Sequence, residues 1–226
     1  MPLDGDKGKN ALRADCGFQC SGHPELGPKI VFFSGGSALR GVSQRLIHFT
    51  YNSVHIITPF DSGGSSAVLR RAFAMPAIGD IRNRLMALAD PELPGGSALA
   101  NLFAHRLPLK DAPSRLRAEL GQCLLGVHPL VQALPTSFRS IVRRHLDVFF
   151  QAMPQGFDLA GASIGNLVLA GGYLEHERNL DAVIAMYSAL ARVRGTVLPV
   201  VHGNYHLGAD LADGNRLVGQ HVLTGK

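Results

Sequence analysis

The chain has 226 residues, 46% of them apolar and 17% charged, with a mean hydropathy of +0.12; that balance fills a core and excludes a disordered chain. The formal charge is +5 and the pI about 9.4, yet the arginines are scattered, no Lys/Arg block occurs, and 4 Tyr with no Trp leave few stacking surfaces, which argues against nucleic acid as the partner. No window approaches the roughly 18 unbroken apolar residues of a membrane span, and the start MPLDGDKGKN lacks a signal peptide's apolar stretch, so a cytoplasmic protein away from the membrane is expected.

Residues 1–28 show no apolar periodicity and read as a flexible leader before a domain over 29–226. Cys16, Cys20 and His23 sketch part of a metal site but lack a second ligand pair, so reduced thiols are the plainer reading. The apolar run 29–33 predicts a strand buried on both faces, as in a parallel sheet. Ser34-Gly35-Gly36-Ser37 breaks it, and Leu39, Val42, Leu46 and Phe49 at helical spacing predict a helix. A second strand over 54–58 leads into Asp61-Ser62-Gly63-Gly64-Ser65-Ser66. Strand, glycine loop, helix, strand, glycine loop is the start of a βαβ unit, whose right-handed crossover makes the strands parallel and sets both loops at one sheet edge. Helices follow over 66–73 and 81–89, the second capped by Asp80. Residues 91–155 read as a helical insertion, with Leu116, Leu120 and Leu124, then Phe138, Ile141, Val142, Leu146 and Phe149 as its apolar stripes; Cys123 reads as core. Gly161 to Asn166 leads another apolar helix. A helix over 180–192, a strand over 196–201 and a hairpin of 206–211 with 216–222, turning at Asp213-Gly214, complete the order. The chain stops soon after, which reads as an incomplete domain or a short form.

Gly35, Gly36 and Ser37 stand between strand and helix, where glycine lets a ligand approach the backbone and the helix start offers free N–H groups with about half a positive charge. The spacing is neither GxGxxG nor a Walker A loop, and a ligand-free tight turn also calls for glycine. The second loop sharpens the reading, because both should converge on the crevice outside the strand ends. There Gly63, Gly64, Ser65 and Ser66 suit a phosphate or diphosphate, while Asp61 suits ribose hydroxyls, a metal ion or general-base work. In Gly79-Asp80-Ile81-Arg82-Asn83-Arg84, arginine at the positive end of a helix is disfavoured by roughly 0.3–1 kcal/mol, which calls for an acidic side chain or a phosphate as partner. Asn166 repeats the small-residue helix start as a polar contact. His202 and His206 flank a turn and share no helical face, so they read as ordinary hydrogen-bonded histidines. No GxSxG or Cys/His dyad occurs.

Four segments, Ser34-Gly35-Gly36-Ser37-Ala38-Leu39, Asp61 to Ser66 with Leu69-Arg70-Arg71, Gly79-Asp80-Ile81-Arg82-Asn83, and Ser163-Ile164-Gly165-Asn166-Leu167, resemble in order and spacing the CofD/YvcK family over about residues 29–223. The resemblance implies an α/β, Rossmann-like doubly wound fold with a mostly parallel sheet, a helical insertion and a C-terminal β-hairpin. It also implies one of two activities. The CofD branch transfers a 2-phospho-L-lactyl group from a guanylated donor to a deazaflavin alcohol with Mg2+; the YvcK branch consists of nucleotide-sugar-binding regulators. The Asp-x-Gly-Gly-Ser-Ser and Gly-Asp-Ile-Arg-Asn segments resemble the YvcK branch more. Ser62 stands where a second acid is usual and Ala67 where glycine is usual, a departure from two-acid metal chemistry that marks a divergent CofD-related subfamily. The expectation is a protein binding a nucleotide, a nucleotide-sugar or a guanylated phosphoester, with turnover left open and a homodimer left open. Gly35, Gly36, Ser37, Gly63, Gly64, Ser65 and Ser66 would hold phosphate with Arg82, Asn83 and Asn166. Asp61 and Asp80 would hold ribose or Mg2+, and Asp61 is the candidate base. The chain is shorter than usual members, so a downstream part of the site is expected to be missing.

Overall fold

Runs of β-branched and aromatic residues set the strands. In the computed structural model, which describes residues 22–35 and 39–224, β1 (Ile30–Ser34), β2 (Ser53–Ile57) and β3 (Thr196–Pro199) form one parallel sheet in that order. The register sets Phe32 beside His55 and His55 beside Val197. Both crossovers step in the same direction, so right-handed connections put their helices on one face. Burial alternates accordingly, with His55, Ile57 and Val197 buried and Val31, Phe33 and Leu198 exposed. The expectation that the first strand is buried on both faces is therefore corrected: β1 is an edge strand, and Phe33 is 75% exposed.

The chain continues through α1 (Arg40–Leu46), α2 (Gly64–Phe73), α3 (Gly79–Ala87), α4 (Gly96–Ala104), α5 (Pro113–Leu125), α6 (Pro129–Gln132), α7 (Thr136–Ala152), α8 (Ile164–Glu175) and α9 (Leu180–Leu190). An antiparallel hairpin of β4 (Gly208–Asp210) and β5 (Arg216–Val218), then α10 (Gln220–Thr224), follow β3. The stripe expected on α1 does not face the core: Val42 and Phe49 are exposed, whereas Ser43 and Ile47 are buried. The reason is polar. Arg84 of α3 donates to the Leu39 carbonyl at 3.1 Å, to Ser43 Oγ, and to Ser34 Oγ at 3.2 Å, and this clamp turns Ser43 inward.

The core lies between the sheet and the helices. Leu116, Leu120, Phe138, Val142, Leu146 and Phe149 are buried on α5 and α7 as the periodicity requires. On α8 every residue from Ile164 to Tyr173 is buried, the pattern of a central helix rather than an amphipathic one. Cys123 is fully buried; burial, reinforced by Glu119, pushes its thiol up to about 12, so it is an inert core group. Among the described residues, no helix is long and apolar enough to cross a membrane.

One buried titrating group makes stability depend on pH. His55 is 1% exposed, stacks on Phe32 with ring centroids 5.0 Å apart, and meets Ser53 Oγ at 3.1 Å. Burial, then the nearby Arg84 charge, lowers its pKa from the ordinary 6.5 to about 4. The folded state thus takes up the proton later than the unfolded chain. Stability is full above pH 6.5 and falls on acidification towards pH 4, by up to about 1.4 kcal/mol per pH unit for this group. Chemical denaturation at pH 7, 6 and 5 is expected to show a loss that shrinks in His55→Phe; an equal loss in both proteins would assign it to other groups.

Candidate functional site

The site forms where β2 ends. Arg70 of α2, 3% exposed, donates to the carbonyls of Phe60 and Asp61 at 3.2 and 3.3 Å, to Asn204 Oδ1 at 3.0 Å and to the Tyr205 carbonyl at 2.5 Å. Burial lowers its pKa while Asp61 opposes the shift. With its donors spent on loops, Arg70 anchors the start of the site rather than contacting a ligand. Beyond it, Asp61 Oδ1 accepts from the Gly63 N–H at 3.0 Å, an Asx turn that steers the chain into α2. Gly63 is the N-cap and has no side chain to cap with, so the first turn presents uncapped donors. Ser65 and Ser66 follow, both buried.

Two glycines permit the close approaches that complete the crevice. A Cβ on Gly79 would lie 2.7 Å from Ser66 Oγ and 3.6 Å from both Asn166 Nδ2 and Asp61 Oδ2, and one on Gly35 would lie 2.5 Å from Thr58 Oγ1 and 3.4 Å from Asp80 Oδ2. The starts of α2, α3 and α8 and the end of β1 therefore meet at one place. A cavity of about 230 Å³ opens there, walled by Asp61, Gly63, Gly64, Ser65, Ser66, Asp80, Arg82, Asn83 and Asn166. Gly36 and Ser37 lie outside the described residues, as do Cys16 and Cys20.

Asp80 occupies a different helix position from the one expected. The N-cap of α3 is Ile78, and the helix begins at Gly79, because bare Gly79 fits against Ser66 and lets the first turn start early. Asp80 is thus inside the first turn, 8% exposed, where its carboxylate meets the positive helix end. Arg82, 7% exposed, donates to the Phe103 carbonyl at 3.2 Å, to Ser163 Oγ, and to Asn83 Oδ1 at 2.7 Å. Burial lowers its pKa to about 10, helped by the charges of Arg106 and Arg40 and opposed by Asp80. It stays a cation at neutral pH, with two other cations within electrostatic reach.

Arg106 also lines the cavity and was not foreseen from sequence. It follows α4, in a segment that meets the start of α8: Leu107 N–H donates to the Ala162 carbonyl at 2.9 Å and Ile164 N–H to that of His105 at 3.0 Å. Its guanidinium donates to the Gly161 carbonyl at 3.0 Å. A second cavity of about 250 Å³ shares Arg82, Asn83 and Arg106 and adds Arg40. A larger one, about 390 Å³, lies between α2 and the hairpin and includes Ser62, His206 and His221. Ser62, at the position of a second acid in the resembled family, instead meets His221 Nδ1 at 2.8 Å and accepts from the His221 N–H at 3.0 Å. His202 pairs with Asp181 at 2.8 Å, in keeping with an ordinary hydrogen-bonded histidine.

The oxygen donors fit a hard divalent cation. Asn166, 1% exposed, donates from Nδ2 to Ser65 Oγ at 2.9 Å, while its buried Oδ1 has no hydrogen-bond partner among the described residues. Carboxylate oxygens are what Mg2+ takes, and Asp61 and Asp80 both line this cavity.

The family model described as 2-phospho-L-lactate transferase CofD matches residues 30–226. A chain from Nostoc sp. is 32% identical over 197 residues, covering 87% of this chain and 32% of its own length. The gluconeogenesis factor of Bacillus subtilis is 30% identical over 196 residues, covering 87% of this chain and 46% of that protein. The crystal structure of a UPF0052-family protein from Bacillus halodurans superposes with a TM-score of 0.59 at 26% identity, over 85% of this chain and 46% of that one. The chain thus spans less than half the length of these relatives. With the family model matched from β1 to the last residue, this chain belongs to the CofD family.

Proposed function

We propose that the cavity binds the diphosphate of a nucleotide or nucleotide-sugar together with Mg2+, and that the chain is a ligand-binding regulator of the gluconeogenesis-factor type. The observation that carries this reading is the convergence of three helix starts on one cavity lined by two carboxylates, Asp61 and Asp80, and two guanidinium groups, Arg82 and Arg106. There, the chemistry separates by charge. Asp61 and Asp80 hold the cation, which when bound screens phosphate charge. Arg106 faces the phosphate oxygens with a planar donor fork, the buried Arg82 adds positive charge behind it, and the uncapped start of α2 adds backbone N–H groups. Gly63 and Gly64 keep the loop narrow enough for those amides to approach.

A thermal-shift series with UDP, UDP-sugars, GDP and the sugars alone, each with and without Mg2+, tests this. A ligand at about 100 times its Kd adds roughly 2.7 kcal/mol, which raises Tm by about 5–10 °C at this chain length. The expected result is a Mg2+-dependent shift with UDP-sugars that is abolished in Asp61→Asn; no shift with any nucleotide would sink the reading. A transferase reading has one specific support, the CofD family model itself, with Asp61 as the base beside an acceptor hydroxyl. Formation of a phospholactyl product from a guanylated donor and a deazaflavin alcohol would replace the regulator with that enzyme.

A further inference from the structure

A second polar cluster lies at the far end of α8 from the cavity. His145 of α7 is 2% exposed, and its Nε2 is 3.1 Å from Glu175 Oε2. His176, the next residue, sets its ring at 87° to that of His145 with centroids 6.0 Å apart. One ligand atom from each of the three residues lies within 4.8 Å of the other two. We propose that His145, Glu175 and His176 form a binding site for a transition-metal dication of the Zn2+ class, with a fourth position open to solvent.

The donor set is the two-imidazole, one-carboxylate combination that suits such ions, in which bonds of about 2.0–2.1 Å put neighbouring ligand atoms about 3.3 Å apart. The His145–Glu175 pair already has that spacing, and a turn of the His176 ring brings the third donor in. The other side of the His145 ring is prepared too: Nδ1 meets the buried Tyr187 hydroxyl at 2.9 Å. Metal-binding histidines characteristically hand their second nitrogen to such an oxygen partner, which fixes the ring. The seat is shaped for this side chain. A Cβ on Gly172 would lie 2.8 Å from the His145 ring, and one on Gly171 only 1.8 Å from its carbonyl oxygen. Arg144, with a 74% exposed side chain, takes Glu175 Oε1 and leaves Oε2 for the ion.

The His105, Glu119 and His128 cluster is less suited. His128 Nδ1 already accepts from the Leu130 N–H at 3.3 Å to cap α6, so its neutral ring carries the proton on Nε2, the atom that would have to bind the ion.

Metal-stripped Cys16→Ser/Cys20→Ser protein, which removes competing thiols, is titrated with Zn2+ against a chromophoric chelator and with Co2+ for its visible spectrum. One equivalent is expected, giving the intense band of four-coordinate Co2+ and raising Tm. His176→Ala should lose this site, and Tyr187→Phe should weaken it ten- to a hundredfold, each with the metal-free melting transition retained. His105→Ala should leave it intact. No stoichiometric binding, or binding lost in His105→Ala but kept in His176→Ala, would overturn the assignment.

Discussion

Gly171→Ala is expected to destabilise the fold by about 3 kcal/mol or more, the upper end for overpacking a filled core, and to lower Tm by roughly 6–12 °C at this length. The added methyl would lie 1.8 Å from the His145 carbonyl oxygen and 2.6 Å from its carbon. That neighbour is helix backbone, which has no rotamer to change, so relief requires α7 and α8 to move apart. Their separation would open the core around Val142, Leu146 and Phe149, all essentially unexposed, and would disturb the contact between His145 and Tyr187. Gly121→Ala on α5 is the matching control, because a methyl there meets nothing within 4 Å. Removing a helix-interior glycine at an open position should instead stabilise by about 0.5–1 kcal/mol. Urea denaturation of the two variants checks the contrast; equal and small effects would show that the two helices are not closely packed at that level.

The sequence marks Gly171 as part of an apolar helix and Gly121 as part of an amphipathic one, but only the facing helix shows that a methyl on Gly171 has no room. The same limit runs through the molecule. Strand–glycine–helix order was readable because hydrophobic period and glycine position are local, and so the α/β class, the parallel pairing of the first two strands and the C-terminal hairpin follow from the residues. Which face of a strand is covered is not local. The run from Ile30 to Phe33 is apolar throughout, yet Val31 and Phe33 face outward, because consecutive right-handed crossovers stepping one way put the helices they carry on the opposite face. On α1, the long-range Arg84 clamp decided which side turned inward.

The candidate site divides in the same manner. Asp61, Gly63, Gly64, Ser65, Ser66, Asp80, Arg82, Asn83 and Asn166 were all named from sequence, since each stands at a helix start next to small residues, and they line one cavity. Arg106 has no such signature. It reaches the cavity because residues 105–107 pair with 162–164, a contact across more than fifty residues that no local spacing announces. The His145 cluster was hidden for a related reason, as its members come from α7 and the end of α8, about thirty residues apart in the chain.

Arg106→Ala is expected to raise the Kd for a Mg2+–nucleoside diphosphate ligand about 10- to 100-fold, the roughly 1.5–3 kcal/mol of a hydrogen bond to a charged group. Arg106 suits this test better than Arg82. Arg82 is buried and donates to the Phe103 carbonyl and Ser163 Oγ, so its removal strands acceptors in the core and confounds folding with binding. Arg106 is exposed, and its hydrogen bond to the Gly161 carbonyl is at the surface, so Tm without ligand should move little. Its charge also acts on Arg82: deleting it relieves repulsion, letting Arg82 hold its proton more firmly and keep part of the anion site. Arg106→Lys should fall between wild type and alanine, because a lysine keeps the charge but loses the planar fork. The difference between wild type and alanine should shrink as salt is raised, since an exposed charge is screened. Calorimetric titration at two ionic strengths measures all of this. A Kd unchanged in Arg106→Ala would place the phosphate away from this wall, whereas a loss equal in alanine and lysine would mean that geometry, not charge, is what the cavity requires there.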